Sequence, residues 1–421
     1  MSDGAVDLKA EARAKAYSMP LEQINPVDPE LFLTDTHWPY FERLRKEDPV
    51  HYCADGHEDG PYWSVTKFND IMAVDTNHDV FSSEPAITIF DPEEDFTLPM
   101  FIAMDQPKHD VQRKTVSPIV SPHNLAELEP LIRSRIQKTL DSLPIGTPFD
   151  WVDKVSIELT TQMLATLFDF PFEDRRKLTF WSDIATADPT SKLFKTEDPD
   201  TERKMYLFEC VDYFSRLWEE RVNAPPRGDL ISMLAHGEST KNMDRMEYLG
   251  NLILLIVGGN DTTRNTMSGS VYALNQNPAE FAKLRANPDL IPSMVSETIR
   301  WQTPLAHMSR VATRDVVMHG KTIKKGDRVV MWYISGNRDE TVVDRPNEFI
   351  IDRERPRQHM SFGFGIHRCV GNRVAEMQLT IIWEEILKRF PEIKVVGDPV
   401  LNYSAFVHGY ESLPVIIPAR N

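Results

Sequence analysis

The sequence predicts a mainly α-helical protein with a small β-rich region, and three features of the 421-residue chain support this. Apolar residues recur every three or four positions over long stretches, as they do along the buried face of a helix. One such stretch covers residues 244–277 and ends before Pro278. After Arg310 the sequence instead alternates through Trp332, with turns at residues 319–320 and 325–327, which favours short strands.

The other elements are predicted in chain order. Residues 1–36 are expected to form a loosely held N-terminal arm, and residues 37–421 a single domain. Residues 84–98 are broken by prolines and indicate a long loop, while the charged residues 171–203 indicate a mobile lid. Further helices are expected at residues 38–46, 69–77, 125–143, 153–168, 205–223, 292–301 and 369–390, a strand at 62–66 and a hairpin at 401–418.

Composition and charge exclude several classes of protein. The chain has 64 acidic and 47 basic residues, a net charge of −17, which disfavours nucleic acid and anionic membranes as partners. Three well-separated cysteines predict no disulfide framework and fit a reducing cytosol. The first 23 residues are polar and mixed in charge, unlike a signal peptide, and the longest apolar run, residues 252–257, is too short for a membrane anchor. A cytoplasmic location is therefore expected.

The loop before the last long helix is the strongest candidate for a functional site. Cys369 follows Gly363 and Gly365, and the helical pattern after it ends before Pro391. Free N–H groups at a helix N-terminus favour a thiolate, which suits a metal or a nucleophilic reaction. A buried structural cysteine is the alternative for a lone residue of this kind.

Two further stretches are candidates. His109 and Arg113 are four residues apart on a predicted helix and so share a face, which is either a binding face or an ordinary solvated one. In the long central pattern, residues 258–263 are six poor helix formers in a row. They indicate either a functional break or a loop between two helices. If Thr262 faces a bound group, helical spacing places Gly258 and Leu255 on the same side.

The loop around Cys369 resembles the haem-binding loop of the cytochrome P450 family. Phe362, Gly365, His367 and Gly371 occupy the positions of that signature around the cysteine. The resemblance implies the cytochrome P450 fold, with haem b between the long central helix and the helix after the cysteine loop. It makes Cys369 the axial thiolate ligand of the haem iron, beside Phe362 and Gly363. The cations expected to meet the haem propionates are His109, Arg113, Arg310 and His367.

The same resemblance assigns roles to other residues. Asp261 and Thr262 match an acid–alcohol pair in which the alcohol hydrogen-bonds oxygen and the acid relays protons. Glu297 and Arg300 match a buried structural pair, with Arg353 or Arg355 as its third member. Residues expected to contact substrate are Ile87, Leu98, Leu255, Gly258, Leu305, Ala306, Phe406 and Val407.

The resemblance implies a monooxygenase that inserts one atom of O₂ into a C–H bond. The close match of residues 360–379 to bacterial alkane and fatty-acid terminal hydroxylases favours medium-chain alkanes or fatty acids. A terpene or steroid hydroxylase is the alternative substrate assignment. A non-enzymatic haem-thiolate sensor, and an enzyme using Cys369 as nucleophile with His367 as base, are the alternative classes.

Electrons are expected from a ferredoxin and its reductase, since no reductase segment is visible. The predicted docking face lies around the cysteine loop, where five arginines stand against one acid, Glu354: Arg353, Arg355, Arg357, Arg368 and Arg373.

Overall fold

The computed structural model describes residues 7–57, 60–89 and 96–421. Phe90, which we expected in the long apolar loop, and the first six residues of the predicted arm lie outside these ranges. The chain belongs to the mainly α class, as predicted, with small sheets at its edge.

The helices surround one long central helix. They are α1 Leu8–Ser18, α2 Pro29–Leu33, α3 Trp38–Glu47, α4 Phe68–Thr76, α5 Lys108–Val116, α6 Pro122–Asp141, α7 Glu158–Phe168, α8 Arg176–Thr186, α9 Pro199–Val222, α10 Leu230–His236, α11 Arg245–Gln276, α12 Pro278–Ala286, α13 Ile291–Gln302, α14 Tyr333–Gly336 and α15 Asn372–Arg389. A π-helical segment, Val152–Ile157, leads into α7.

Within the described ranges, the strands are short and lie in four small sheets. They are β1 Val50–His57, β2 Gly60–Val65, β3 Phe81–Ser82, β4 Phe149–Asp150, β5 Met308–Ala312, β6 Val316–Met318, β7 Lys321–Ile323, β8 Arg328–Met331, β9 Lys394–Val395, β10 Val400–Leu401, β11 Tyr410–Ser412 and β12 Pro414–Ile416. The largest sheet has the order β1-β2-β8-β5-β3, and in it β2 and β8 run parallel with Trp63 opposite Val329. Both predicted strand regions are therefore confirmed.

The central helix α11 has 32 residues and a length of about 48 Å. Asp244 caps it by accepting hydrogen bonds from the N–H groups of Met246 and Glu247, both at 2.9 Å. The helix continues through residues 258–263, so the alternative of a loop between two helices is wrong. Packing against α7, α8 and α13 offsets the poor helix propensity of that segment.

Two predicted mobile segments are more ordered than expected. In the predicted arm, Ala12 and Ala16 of α1 are buried in a cluster with Tyr40 and Leu44 of α3, so this part packs against the domain and is not loosely held. The domain boundary at residue 36 stays a prediction. The predicted lid contains α8 and the start of α9, and Trp181 of α8 is fully buried. Burial of these apolar side chains stabilises both segments.

Candidate functional site

A cavity of about 1110 Å³ lies between α11 and the loop that carries Cys369. Cys369 lines it, whereas Cys53 and Cys210 are buried elsewhere. The predicted site residues that also line it are Ile87, Leu98, His109, Arg113, Leu255, Gly258, Thr262, Leu305, Arg310, Phe362, Gly363, His367 and Phe406. The structure therefore brings together residues that are more than 300 positions apart in the chain.

Two predicted substrate contacts do not line the cavity. Leu305 and Val407 form an isolated β-bridge, and the N–H of Ala306 donates to the carbonyl of Phe406 at 2.9 Å. Leu305 and Phe406 line the cavity, whereas the next residue after each, Ala306 and Val407, does not. Ala306 instead packs in a cluster with Trp332. The assignment of Ala306 and Val407 as pocket residues is thus corrected.

The cysteine loop is fixed by hydrogen bonds and by two glycines. The N–H of Cys369 donates to the carbonyl of Phe362 at 2.8 Å. Gly363 and Gly365 both have a φ of +65°, a conformation that residues with a Cβ rarely adopt. At Gly365 a Cβ would also lie 2.7 Å from the carbonyl oxygen of Asp75. Both positions therefore require glycine.

Asp75 on α4 anchors this loop, and the sequence analysis missed it. Its carboxylate accepts hydrogen bonds from the N–H of Phe364 at 2.7 Å and from the Tyr333 hydroxyl at 3.0 Å, and it pairs with Arg310 at 2.8 Å. Asp75 is almost fully buried. The one signal in the sequence is a charged residue on the apolar face of a short predicted helix, next to the buried Val74.

The thiol of Cys369 is subject to opposing effects. Burial raises the pKa of Cys369, and this outweighs the lowering by the N–H of Gly371 and by the charges of Arg113 and Arg368. The helix α15 begins three residues after the cysteine, at Asn372. The helix N-terminus therefore lowers the pKa, as predicted, but does not by itself make the thiolate the favoured form.

Two histidines at the cavity have ring nitrogens without partners, and two arginines line the cavity with them. Both ring nitrogens of His367 and Nε2 of His109 are buried without a hydrogen-bond partner, and the two rings lie 4.2 Å apart. Arg113 donates to the carbonyl of Arg368 at 2.5 Å, and Arg310 is almost fully buried. Burial lowers the pKa of His367 to about 2, with Arg310 the next cause. Unpaired buried donors beside a cysteine fit a haem, whose propionates would accept their hydrogen bonds.

The acid–alcohol pair occupies two different environments. Thr262 lines the cavity and donates to the carbonyl of Gly258 at 2.9 Å. Asp261 is fully buried outside the cavity and forms an ion pair with Arg264 at 2.9 Å. Ser182 on α8 donates to the Asp261 carboxylate at 3.1 Å. Thr262 can therefore reach a ligand directly, and Asp261 can act only through other groups.

Asp183 connects this buried network to the surface. Its carboxylate pairs with Arg264 at 2.8 Å, and its side chain is 30% exposed. Burial raises the pKa of Asp183 to about 6, a rise that Arg264 opposes and the charge of Asp261 supports. The ion-pair network of Asp183, Arg264 and Asp261 was not predicted, because Asp183 lies in the segment expected to be a lid.

The predicted structural pair forms a buried network behind the cysteine loop. Arg300 makes two hydrogen bonds to Glu297, both at 2.8 Å, and the third member is Arg353, which pairs with Glu297 at 2.9 Å. Arg300 also donates to the carbonyl of Asn337, whose side chain contacts the loop through the N–H of Met360 at 2.8 Å. This network holds the loop from the side away from the cavity.

The predicted arginine face is smaller than expected. Arg353 forms an ion pair with Glu297, and its side chain is only 9% exposed. Arg355, Arg357, Arg368 and Arg373 are exposed. Four arginines thus remain on this surface.

A search of the described helices for a membrane-spanning segment found none of sufficient length and apolar character.

Comparison with known proteins gives consistent results. The sequence profile described as Cytochrome P450 matches residues 62–400. The fold is similar to that of CYP153D17 from Sphingomonas sp. PAMC 26605, with 50% identity, a TM-score of 0.86, and coverage of 93% of this chain and 98% of that one. Linalool 8-monooxygenase from Pseudomonas putida is 32% identical over 94% of this chain and 99% of its own. Methyl-branched lipid omega-hydroxylase from Mycobacterium tuberculosis is 30% identical over 89% of this chain and 90% of its own.

The profile match covers most of the chain, and the fold, the cysteine loop and the unpartnered histidine nitrogens agree with it. The protein therefore belongs to the cytochrome P450 family of monooxygenases, which bind haem b through a cysteine thiolate.

Proposed function

We propose that this monooxygenase hydroxylates medium-chain alkanes or fatty acids at or near the terminal carbon, in the cytoplasm, with electrons supplied by a ferredoxin. The observation that carries the proposal is the cavity. Its lining beyond the cysteine loop is mostly aliphatic and aromatic, which suits an aliphatic chain and excludes water. The residues contributing to this lining include Ile87, Phe96, Leu98, Leu164, Leu167, Leu207, Leu255, Val257, Leu305 and Phe406.

The residues around Cys369 would hold the haem. Cys369 would supply the thiolate, and His109, Arg113, Arg310 and His367 would face the propionates. The bound haem supplies the activation of O₂ needed to attack an unactivated C–H bond. The protein contributes a positioned substrate, a dry cavity and controlled delivery of protons.

Proton delivery is assigned to Thr262 and the network behind it. The Thr262 hydroxyl lies at the cavity and would orient oxygen and pass a proton to it. Asp261 would supply that proton through a rearrangement of its hydrogen bonds, since it is not on the cavity surface. Arg264 and Asp183 connect Asp261 with solvent at the end of α8. They would act as positioning residues for this step.

The terminal position of attack is supported by one relative and by the cysteine loop. The Mycobacterium tuberculosis relative is an omega-hydroxylase of methyl-branched lipids, and omega designates the terminal carbon. A terminal methyl group reaches the deepest part of a cavity only if the rest of the chain extends away toward its mouth. The polar residues Thr186, Asp188 and Thr190, at and after the end of α8, also line the cavity. Asp188 and Thr190 would be polar contacts for the other end of such a chain.

The experiment is a chain-length series on the haem-loaded protein. Alkanes and fatty acids of increasing length are titrated while the ferric spin-state band is monitored, and products are then identified by mass spectrometry. We expect an optimum in chain length and hydroxylation within the last carbons. Turnover of compact polycyclic compounds alone would reject the linear substrate while leaving the monooxygenase assignment intact.

A terpene substrate is the second candidate, because one relative is a linalool 8-monooxygenase. Linalool is a branched, partly extended alcohol, so it would fit a lining similar to that proposed here. Including linalool and a steroid in the same series distinguishes the candidates. The ligand giving the largest spin-state change at the lowest concentration identifies the preferred class.

The ferredoxin proposal depends on the charge of the surface outside Cys369. Arg355, Arg357, Arg368 and Arg373 are exposed there, in a protein whose net charge is −17. A local basic surface on an acidic protein steers an acidic partner to one orientation. Because Arg368 is adjacent to Cys369 in sequence, a partner at this surface would be close to the thiolate.

A further inference from the structure

Three residues with metal-binding side chains, Asp35, His37 and His408, lie close together outside the cavity lining. Asp35 and His37 lie in the turn between α2 and α3, and His408 lies in the loop between β10 and β11. One potential ligand atom from each residue lies within 4.8 Å of those of the other two. The cluster is separate from the cavity, since none of the three residues lines it.

His37 has a ring nitrogen without a partner. Its side chain is fully buried, and its Nδ1 lies 3.3 Å from the carbonyl oxygen of Leu31. Nε2 is buried and makes no hydrogen bond. The ring is held between Phe32 and Trp38, with centroids at 4.5 and 4.1 Å. A buried unpaired nitrogen is costly, and a bound metal ion would satisfy it.

His408 is oriented in the same way. Its Nδ1 lies 2.5 Å from the carbonyl oxygen of Gln302, which places the ring proton on that nitrogen and leaves Nε2 with a free lone pair. A backbone carbonyl bound to the second nitrogen is the usual support of a metal-binding histidine. The free lone pair of a neutral imidazole nitrogen is what binds a metal ion.

Asp35 supplies the negative charge. One carboxylate oxygen accepts from Nε1 of Trp38 at 2.7 Å, and the other pairs with Lys9 at 2.6 Å. The Lys9 side chain is 68% exposed, so it can leave the carboxylate at little cost. We propose that Asp35, His37 and His408 form a binding site for a divalent transition-metal ion such as Zn²⁺, with water completing the coordination.

The ligand set restricts the choice of metal. Two imidazoles and one carboxylate suit Zn²⁺, Cu²⁺ and Ni²⁺, while Ca²⁺ and Mg²⁺ prefer oxygen ligands. Ligand atoms of a filled tetrahedral zinc site are about 3.3 Å apart, so the three groups must approach one another by up to about 1.5 Å on binding. The buried Arg338, whose guanidinium lies 4.5 Å from the centre of the Trp38 ring, reduces the affinity by its charge.

Such an ion would connect the two ends of the chain beside the cavity. His408 is two residues after Phe406, which lines the cavity. The ion would join the loop carrying Phe406 to the turn before α3. The site would therefore stabilise both segments without contacting the haem.

The test uses the haem-loaded protein after treatment with a chelator. With haem bound, Cys369 is not available to bind Zn²⁺. Zn²⁺ is titrated by calorimetry, and the Tm is measured with and without Zn²⁺. We expect one saturable site and a higher Tm with Zn²⁺. His37→Phe preserves an aromatic ring between Phe32 and Trp38, and His408→Gln preserves a donor for Gln302. Each should weaken Zn²⁺ binding at least tenfold and remove the Tm shift.

His123→Gln is the matched control, because His123 is 82% exposed and distant in sequence from the cluster. It should bind Zn²⁺ as the wild type does. Asp35→Asn tests the site if a histidine variant fails to load haem. A zinc-edge anomalous difference map of crystals grown with Zn²⁺ should show a peak between the three residues. No saturable binding, binding unaffected by these substitutions, or an anomalous peak only elsewhere would overturn the proposal.

Discussion

On the α11 side of the cavity, the Asp261 carboxylate accepts from Ser182 and pairs with Arg264. On the Cys369 side, both ring nitrogens of His367 and Nε2 of His109 are buried without partners. On the first side the carboxylates are paired within the protein, although Nε of the buried Arg264 has no partner. On the second side the histidine nitrogens gain partners only when a group with acceptor oxygens binds. Substitutions on the Cys369 side should therefore affect the cofactor, and those on the α11 side should affect protons and stability.

The largest effect is expected from Cys369→Ala. Since Cys369 is the one cysteine that lines the cavity, its removal should abolish the thiolate-type Soret band of the reduced CO complex. The measurement is the reduced CO difference spectrum. Cys53→Ala and Cys210→Ala, at cysteines buried elsewhere, are controls that should retain the band. A normal band in Cys369→Ala would show that Cys369 is not the haem ligand.

The second effect concerns the support behind the cysteine loop. Glu297→Gln leaves the buried Arg300 and Arg353 without their anion, which should cost about 3–5 kcal/mol of unfolding free energy. Unfolding by denaturant of the haem-loaded protein measures this. Arg355→Gln is the control, because Arg355 is exposed and outside the network, and should change the unfolding free energy by less than about 0.5 kcal/mol. Equal effects would mean that the network does not support the loop.

The sequence predicted the Cys369 side better than the α11 side, for a physical reason. The cysteine loop and the pair His109 and Arg113 are local motifs, and their resemblance to the cytochrome P450 signature is what assigned them to the haem site. The partners of Asp261 come from α8, which the sequence presents as a charged, proline-interrupted segment. Nothing local indicated that Trp181 would bury this helix against the core, or that packing would keep α11 helical through its two central glycines.

Hydrogen bonds and ion pairs between residues far apart in the chain could not be predicted from the sequence either. Asp75 reaches Phe364 from 289 residues away, and Arg353 rather than Arg355 reaches Glu297 because of the path of the intervening chain. Ala306 and Val407 were assigned to the pocket through the family resemblance, which places a segment at the cavity but does not fix which of its side chains face it.

The third prediction tests the α11 side. Thr262→Ala should retain haem and substrate binding but reduce the fraction of NADH electrons found in product by about tenfold, with peroxide released instead. The reason is that Thr262 is the member of the acid–alcohol pair at the cavity. Product and peroxide are quantified per NADH consumed. Thr262→Ser keeps the hydroxyl and should restore coupling. Unchanged coupling in Thr262→Ala would show that the hydroxyl takes no part in proton delivery.

The fourth prediction concerns Asp183 and pH. Its pKa is raised to about 6 in the folded protein from an ordinary value of 3.8, so the unfolded state binds fewer protons between these values. The contribution of this group to stability is therefore largest below pH 4 and is lost as the pH rises through 6. Asp183→Asn should remove that loss, and its stability relative to wild type should improve by on the order of 1 kcal/mol from pH 4.5 to 7.

The measurement is denaturant unfolding of both proteins across this pH range. Asp212→Asn is a suitable control, because Asp212 is 62% exposed and its charge is balanced by Arg245 at the surface. It should show no comparable trend between pH 4.5 and 7. A stability difference for Asp183→Asn that does not vary with pH would mean that Asp183 is ionised throughout and is not coupled to the buried Asp261.

The smallest effect is expected on the outer surface of the Cys369 side. Arg368→Glu and Arg373→Glu should slow reduction by a ferredoxin about two- to tenfold at low ionic strength, because exposed charges mainly affect the association rate. The difference should shrink as salt screens the charges. Reduction by dithionite and substrate binding should not change. Arg245→Glu, at the start of α11, alters the net charge equally and is the matched control. If the ferredoxin reduces all three variants at the wild-type rate, the donor binds elsewhere. The exposed arginines near Cys369 are then an ordinary solvated surface.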